Sequence, residues 1–247
     1  MKLFDWHSEK RRKHCTAIIV AAGKATRMRG IDKTMVRLLG QPVIAHTIRA
    51  FEESESIDEI ICVVRPDQIV GVETMVCNYE FSKVKKVIAG GETRMESVVA
   101  GLKACSPDTI LVAIQDGARP LVSSEVIARA VGMALTYHAA APSIAVKDTI
   151  KVADESGRVV TTPSRKTLRA VQTPQVFDRD LLMVAWERAR KEELDYTDDC
   201  SAMEGLGVHV YLTEGSEENI KITTPLDLKI AEIVLKERMD DANRTRV

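Results

Sequence analysis

Short apolar runs alternate with amphipathic stretches along the chain as far as Ala141. Residues 16–22 are almost continuously apolar and too few for a surface helix, which predicts a buried strand. The turn Leu39-Gly40-Gln41-Pro42 leads into residues 43–53, where Val43, Ile44, Ile48 and Phe51 share one helical face. Residues 58–64 repeat the strand pattern, 68–79 form a weaker helix, and 83–89 a third strand that stops at Gly90-Gly91. Residues 93–104 open with a T-x-x-E capping box, Thr93 with Glu96, ahead of Val98, Val99 and Leu102. Residues 109–114 are a fourth strand, broken off at Gln115-Asp116-Gly117, and 125–138 a helix capped by Ser123 or Ser124. Four such alternations predict an α/β fold, a mostly parallel sheet with helices on both faces. Ligands of such sheets bind at the carboxyl ends of the strands, so residues 23–33, 90–94 and 116–119 are expected to converge on one crevice.

Beyond Ala141 the pattern changes. Residues 143–152 and 158–162 read as two extended segments around the turn Asp154-Glu155-Ser156-Gly157. A hairpin this polar buries little by itself, so it is expected to pack on another subunit or over the site. Core patterning resumes at 168–171 and 173–177. A helix over about 179–191 follows, then a short helix within 195–205 capped by Thr197 or Asp198, a strand over 208–212 and a closing helix over 225–239. The organisation expected is a polar leader over 1–14, one domain over 15–240 with an arm at about 145–167, and a tail over 241–247. A (β/α)8 barrel fits the length but needs more strand–helix units and no arm.

Composition narrows the function without naming it. Of 247 residues, 45% are hydrophobic and 29% charged, enough to bury a substantial core. With 35 Lys plus Arg against 36 Asp plus Glu, no global field favours nucleic acid. The five cysteines are odd in number, widely spaced and free of C-x-x-C pairs, which argues against a disulfide scaffold and a zinc site; Cys15 and Cys62 read as small apolar fillers. The five histidines show no H-x-x-x-H pairing, and none is assigned to a metal. The leader lacks the apolar centre of a signal peptide and no run approaches the ~18 apolar residues of a membrane span, so the expected setting is cytoplasmic, without membrane contact.

Against that balanced background residues 17–37 stand out. A strand ends at Ala21-Ala22-Gly23, and Lys24, Arg27, Arg29, Lys33 and Arg37 follow with only Asp32 opposing them. Small residues let backbone approach a ligand and the cations suit phosphate, so the stretch is either a nucleotide-phosphate loop or a tight turn with a solvated basic face. It is not a Walker loop, because Asp32 rather than glycine precedes Lys33; nor is it a G-x-G-x-x-G fingerprint, because Ala25 and Met28 stand where glycines belong.

Seven separated motifs, AAGKATRM, GGETRMESV, DGARP, KDTIK, QTPQVF, YTDDCSA and NIKITTPLDL, extend over about residues 16–235. Together they resemble the 2-C-methyl-D-erythritol 4-phosphate cytidylyltransferase family of the non-mevalonate isoprenoid pathway. The resemblance implies a three-layer Rossmann-like nucleotidyltransferase fold, its sheet mixed but mainly parallel, with a protruding β-arm. It implies attack of a sugar-phosphate oxygen on the α-phosphorus of CTP with release of pyrophosphate, aided by Mg2+ or another divalent cation. Arg27, Lys33 and Lys221 would be the catalytic cations. CTP would lie against Ala21, Ala22, Gly23, Lys24 and Ala25, with base and ribose read at Gly91, Glu92 and Ser97, supported by Arg94, and with Asp116 and Gly117 also in contact. Asp116 would be the metal carboxylate. Arg119, Thr149, Arg165, Thr173 and Thr197 would frame the sugar phosphate, with Thr149 and Arg165 on an arm that reaches across a homodimer. Taken singly, Asp116 could merely start a turn, Thr197 cap a helix and Lys221 be a surface charge. Lys151, Lys166 and Arg169 read as a solvated face.

Three departures from the family pattern lie in the first motif region. Ala25 stands where glycine is usual, the loop before Lys33 is a residue shorter, and Asp32 replaces a common proline. Asp32 adds negative charge where a triphosphate must bind, and residues 24–32 are expected to be mobile until CTP does so. Two rivals remain. One is a ribitol 5-phosphate cytidylyltransferase of the same fold, from which residues 163–168 separate the chain only weakly. The other is a non-catalytic sugar-nucleotide binding module, in which loss of a lysine or of the metal carboxylate would be expected.

Overall fold

The structure, a computed structural model, describes residues 14–23 and 32–245. Strand β1 (Cys15–Val20) is followed by a small hairpin, β2 (Arg37–Leu38) with β3 (Gln41–Pro42), whose turn residues Leu39 and Gly40 both have positive φ, 49° and 81°. That is the twist a two-residue hairpin requires. Then come α1 (Val43–Glu52), β4 (Glu59–Val64), α2 (Ile69–Asn78), β5 (Val84–Ala89), α3 (Arg94–Ala104), β6 (Leu111–Asp116) and α4 (Ser124–Tyr137). The second half holds β7 (Ala139–Ala145), β8 (Val152–Ala153), β9 (Val159–Thr161), β10 (Arg169–Val171), β11 (Gln175–Asp178), α5 (Arg179–Lys191), α6 (Asp199–Gly205), β12 (Tyr211–Glu214) and α7 (Pro225–Thr245).

Eight of these strands form one sheet, in the order β10-β7-β11-β6-β1-β4-β5, with β12 parallel to β7. β1 runs parallel to β4 on one side and to β6 on the other, and β11 runs antiparallel to β6 and β7. The sheet is therefore mixed and mainly parallel. Because side chains alternate along a strand, β1 sends Ala17 and Ile19 to one face and Ile18 to the other. The first face is covered by Ile44, Ile48 and Phe51 of α1, Val72 of α2 and Ile127 and Ala130 of α4. The second is covered by Val98 and Leu102 of α3, Leu182 and Trp186 of α5 and Met203 of α6. Three layers result, with Cys15 and Cys62 fully buried as fillers. Desolvation pushes the Cys62 thiol up to about 12, which keeps it protonated.

Three expectations are corrected. The first extended segment does not belong to the arm from residue 143: Ser143–Ala145 continue β7 and pair with β10. The residues of β7 are mostly alanine, so little apolar contrast marks the strand in the sequence, yet Ala139, Ala140 and Ala141 are fully buried. Within the arm it is β8 and β9 that pair as a hairpin, around a turn in which the Asp154 carboxylate accepts the Ser156 and Arg158 backbone N–H groups, both at 3.1 Å. The late strand lies at Tyr211–Glu214 rather than 208–212, since Val208 still donates to the carbonyl of Met203 at the end of α6. The closing helix continues past Met239 to Thr245, through residues that are compatible with helix. Among the described residues no helix is long and apolar enough to cross a membrane.

Candidate active site

The chain lays β1, β4 and β5 in one direction and then places β6 on the far side of β1, so the connections diverge between β1 and β6. A crevice opens outside the carboxyl ends of strands at such a point. Here it is lined by Val20 to Gly23 after β1, by Gly91 to Arg94 and Ser97 before and within α3, by Asp116 to Ala118 at the end of β6, and by Lys33, Thr34 and Lys221. The cavity volume is about 160 Å³, in a cleft partly open to solvent. Of the three loops expected to converge, 90–94 and 116–119 meet here, and the described ends of the first, Gly23 and Lys33, join them.

Small residues allow this closeness. A Cβ on Gly90 would lie 2.4 Å from Cβ of Ala22 and 2.7 Å from the Ser97 hydroxyl, so only glycine lets the β1 and β5 loops touch. Ala21 N–H donates to Val63 at 2.7 Å, Gly117 N–H to Val20 at 2.9 Å and Gly90 N–H to Val64 at 2.8 Å, which ties each loop base to a neighbouring strand. The α3 N-terminus is closed by the expected capping box. Thr93 Oγ1 accepts from Glu96 N–H at 3.1 Å, and the Glu96 carboxylate takes the N–H groups of Glu92 and Thr93 at 2.7 and 3.0 Å.

Asp116 ends β6 and gathers charge from distant parts of the chain. Lys221 Nζ stands 2.9 Å from its carboxylate and Arg119 Nε 3.3 Å. Burial alone would raise the Asp116 carboxyl, but the Lys221 and Arg119 charges outweigh it and hold it below the ordinary carboxylate value. Lys221 arrives there because its segment is stitched down. Ile222 N–H donates to Ala118 at 2.8 Å, Arg119 Nη1 to the Asn219 carbonyl at 2.7 Å, and the buried Asn219 amide to the Thr173 carbonyl at 2.9 Å. Thr173 Oγ1 in turn accepts the Asp116 N–H at 3.1 Å.

On the α3 side, Arg94 Nη2 donates to Asp199 at 2.5 Å, and the other Asp199 oxygen accepts from Trp186 Nε1 at 3.1 Å. Asp199 is fully buried, and desolvation raises its carboxyl in spite of Arg94. Among the described residues Arg94 Nη1 is buried without a hydrogen-bond partner while Arg94 lines the crevice, which leaves a donor for a bound acceptor group. Sequence reasoning named Arg94 only as a support and missed Asp199, because an acidic pair at a helix start reads as capping. Asp198 is the cap of α6, accepting Ser201 N–H at 2.9 Å.

Of the residues expected at the site, Ala21, Ala22, Gly23, Lys33, Gly91, Glu92, Ser97, Asp116, Gly117 and Lys221 line the crevice. Lys24, Ala25 and Arg27 lie outside the described residues, as does most of the loop expected to be mobile. Arg119 and Thr173 do not line it but touch Asp116. Thr149 is exposed, Arg165 donates from an exposed turn to the Lys147 carbonyl at 2.6 Å, and the exposed Thr197 hydroxyl lies 3.4 Å from that of Ser201; none of the three lines the crevice. Asp32 does not present a bare charge as expected: it is bound by Arg65, Gln68 and Thr34. Thr34, a crevice residue, carried no signal in the sequence.

The residues present fit a divalent cation of the magnesium kind. Such ions take one or two carboxylates and complete their shell with water and substrate phosphates, and Asp116 is an ionised hard-oxygen donor at the crevice. Among the described residues no cluster of three or more His, Cys, Asp or Glu could form a cage without substrate.

A family profile described as IspD, 2-C-methyl-D-erythritol 4-phosphate cytidylyltransferase, matches residues 15–237. Proteins of that name from Caldanaerobacter subterraneus subsp. tengcongensis and Clostridium novyi are each 44% identical, over 90% and 91% of this chain and 98% and 97% of theirs. The crystal structure of a 4-diphosphocytidyl-2C-methyl-D-erythritol synthase from Anaerococcus prevotii superposes with a TM-score of 0.82 at 32% identity, covering 91% of this chain and 97% of that one. The 2-C-methyl-D-erythritol 4-phosphate cytidylyltransferase of Thermus thermophilus gives 0.74 at 31%, covering 90% and 99%.

Proposed function

Because the chain belongs to the 2-C-methyl-D-erythritol 4-phosphate cytidylyltransferase family, we propose that its crevice is the place where CTP and a sugar phosphate are brought together, with Lys33 and Lys221 as the catalytic cations. The enzyme transfers the cytidylyl group of CTP to 2-C-methyl-D-erythritol 4-phosphate in isoprenoid biosynthesis. The observation that carries the residue assignment is the convergence of Lys33, Lys221 and Asp116 on a crevice walled by Ala21, Ala22 and Gly23.

A phosphate monoester with a second pKa of about 6 is largely dianionic at neutral pH, so the attacking oxygen needs no general base. The remaining task is to bring two polyanions together and stabilise charge on a five-coordinate phosphorus and its leaving group. Lys33 and Lys221 face the crevice from opposite parts of the chain and serve that task, and Arg27, outside the described residues, takes the same role by resemblance. Ala21 to Gly23, with Lys24 and Ala25, hold the nucleotide through backbone groups, while Gly91, Glu92 and Ser97 receive base and ribose. Asp116 would hold Mg2+, which would supply positive charge to offset that of the triphosphate. Arg119, Thr149, Arg165, Thr173 and Thr197 frame the acceptor.

The arm supports a homodimer. Among the described residues its strands pair only with each other, apart from the main sheet, and Val152, Val159 and Val160 are 44%, 52% and 63% exposed, an apolar surface left uncovered there. A cytoplasmic setting is supported by five free cysteines, three of them buried. The test is a pyrophosphate-release assay with CTP and Mg2+, run in parallel on 2-C-methyl-D-erythritol 4-phosphate and ribitol 5-phosphate. Turnover of the first acceptor is expected. Turnover of the second alone would reassign the acceptor, and none with either would revive the non-catalytic binding module. Full transfer by Lys33→Ala would defeat the residue assignment.

A further inference from the structure

Asp32 is a carboxylate beside a crevice lysine, a position from which an uncompensated charge would repel a triphosphate. Its charge is taken up elsewhere. Oδ2 accepts from Arg65 Nη1 at 2.6 Å and from Gln68 Nε2. Oδ1 accepts the Thr34 N–H at 2.9 Å and the Thr34 hydroxyl at 2.7 Å. Burial by itself would raise this carboxyl, but the Thr34 hydrogen bonds and the Arg65 charge hold it below its ordinary value, so it stays ionised. The Asp32 carbonyl accepts from Met35 and Val36 N–H at 3.1 and 3.0 Å, so the same residue starts the turn that carries Lys33 and Thr34 to the crevice wall. Arg65 directly follows β4 and is braced in turn by Asp67, at 3.1 Å from Nε and 3.3 Å from Nη2. Gln68 closes the 3-10 turn Pro66–Gln68.

We propose that Asp32 is a positioning residue for the triphosphate: its carboxylate, held by Arg65 and Gln68, anchors the Lys33–Thr34 turn to the end of β4. The inference rests on the CTP reading of the crevice. A lysine on an anchored turn binds phosphate without first ordering its backbone, which is where the affinity is gained. Pairing with Arg65 also removes the repulsion that the bare sequence implies. A bystander carboxylate and an anchor then differ in sign, because neutralising a bystander would tighten CTP and neutralising an anchor loosens it.

The experiment compares wild type, Asp32→Asn, Arg65→Ala and the double variant, by steady-state kinetics, calorimetric titration with CTP and thermal midpoint. Asp32→Asn is expected to raise KM and Kd for CTP on the order of tenfold, the loss of a charged hydrogen-bond set, with KM for the sugar phosphate unchanged. Arg65→Ala is expected to be worse, because it leaves the carboxylate unpaired beside Lys33, and the double variant should return to the level of Asp32→Asn. Unchanged or tighter CTP binding by Asp32→Asn would overturn the inference. A parallel rise in both KM values with a fall in thermal midpoint would reduce Asp32 to a structural role and overturn it equally. No CTP binding by wild type would remove the nucleotide reading itself, a result distinct from CTP binding that is indifferent to Asp32.

Discussion

Ala21, Gly91 and Asp116 reach the crevice from the ends of β1, β5 and β6 in one sheet, each loop base tied to a neighbouring strand by a backbone hydrogen bond. Thr149 and Arg165 sit instead on exposed chain around a hairpin whose strands, among the described residues, pair only with each other. The side proposed for the nucleotide is thus assembled by the core of one chain, where every small displacement is resisted by packing. The side proposed for the acceptor has no such support among the described residues, so on that reading its geometry depends on what the arm meets.

Removing a cation from the crevice should break the nucleotide side most severely. Lys221→Ala is expected to lower kcat by about 10²–10³, the usual cost of losing one charge-stabilising donor, and single-turnover rates measure it directly; a loss below tenfold would mean that Lys221 serves only to neutralise Asp116. Gly90→Ala is expected to destabilise the fold by about 1–3 kcal/mol, since its Cβ has 2.4 Å to Ala22 and one of the two loops must shift. Chemical denaturation reads this, and a neutral result would show that the loops yield where the comparison makes them rigid. On the arm, Arg165→Ala and Thr149→Ala should raise KM for the sugar phosphate about tenfold, one lost charged hydrogen bond, and leave KM for CTP and the thermal midpoint unchanged. Equal effects on both substrates would erase the distinction between the two sides.

The smallest effect is in acid. Asp116 is held below its ordinary value in the folded chain, so as pH falls the unfolded chain takes up that proton first. Its contribution is therefore complete above about pH 4 and is lost as pH drops through the folded-state value. Asp116→Asn should show a shallower loss of stability below pH 4 than wild type, followed by circular dichroism.

Much of the nucleotide side was legible because its signals are local. Thr93 with Glu96 at a helix start acts over three residues and forms the capping box, and Ala21-Ala22-Gly23 follows directly on the end of β1 at the crevice wall. The alternation of strands and helices placed three loops at one sheet edge before any contact was known. The alanine-rich β7 escaped because burial there depends on neighbours rather than on side-chain size. Asp199 escaped because a buried partner of Arg94 is indistinguishable in sequence from a second capping residue.

Residue type and spacing were enough to assign a mainly parallel core, a hairpin and the family motifs, since each rests on short-range stereochemistry or on a run of consecutive residues. Charge compensation could not be read that way. Asp32 meets Arg65, Asp116 meets Lys221 and Arg94 meets Asp199 only after β1, β4, β5 and β6 have paired and the segment around Asn219 has been hydrogen-bonded onto Thr173. The sign of an isolated acidic residue's effect on a phosphate site follows from which cation folding places against it, and that is set by long-range packing in which no local rule takes part.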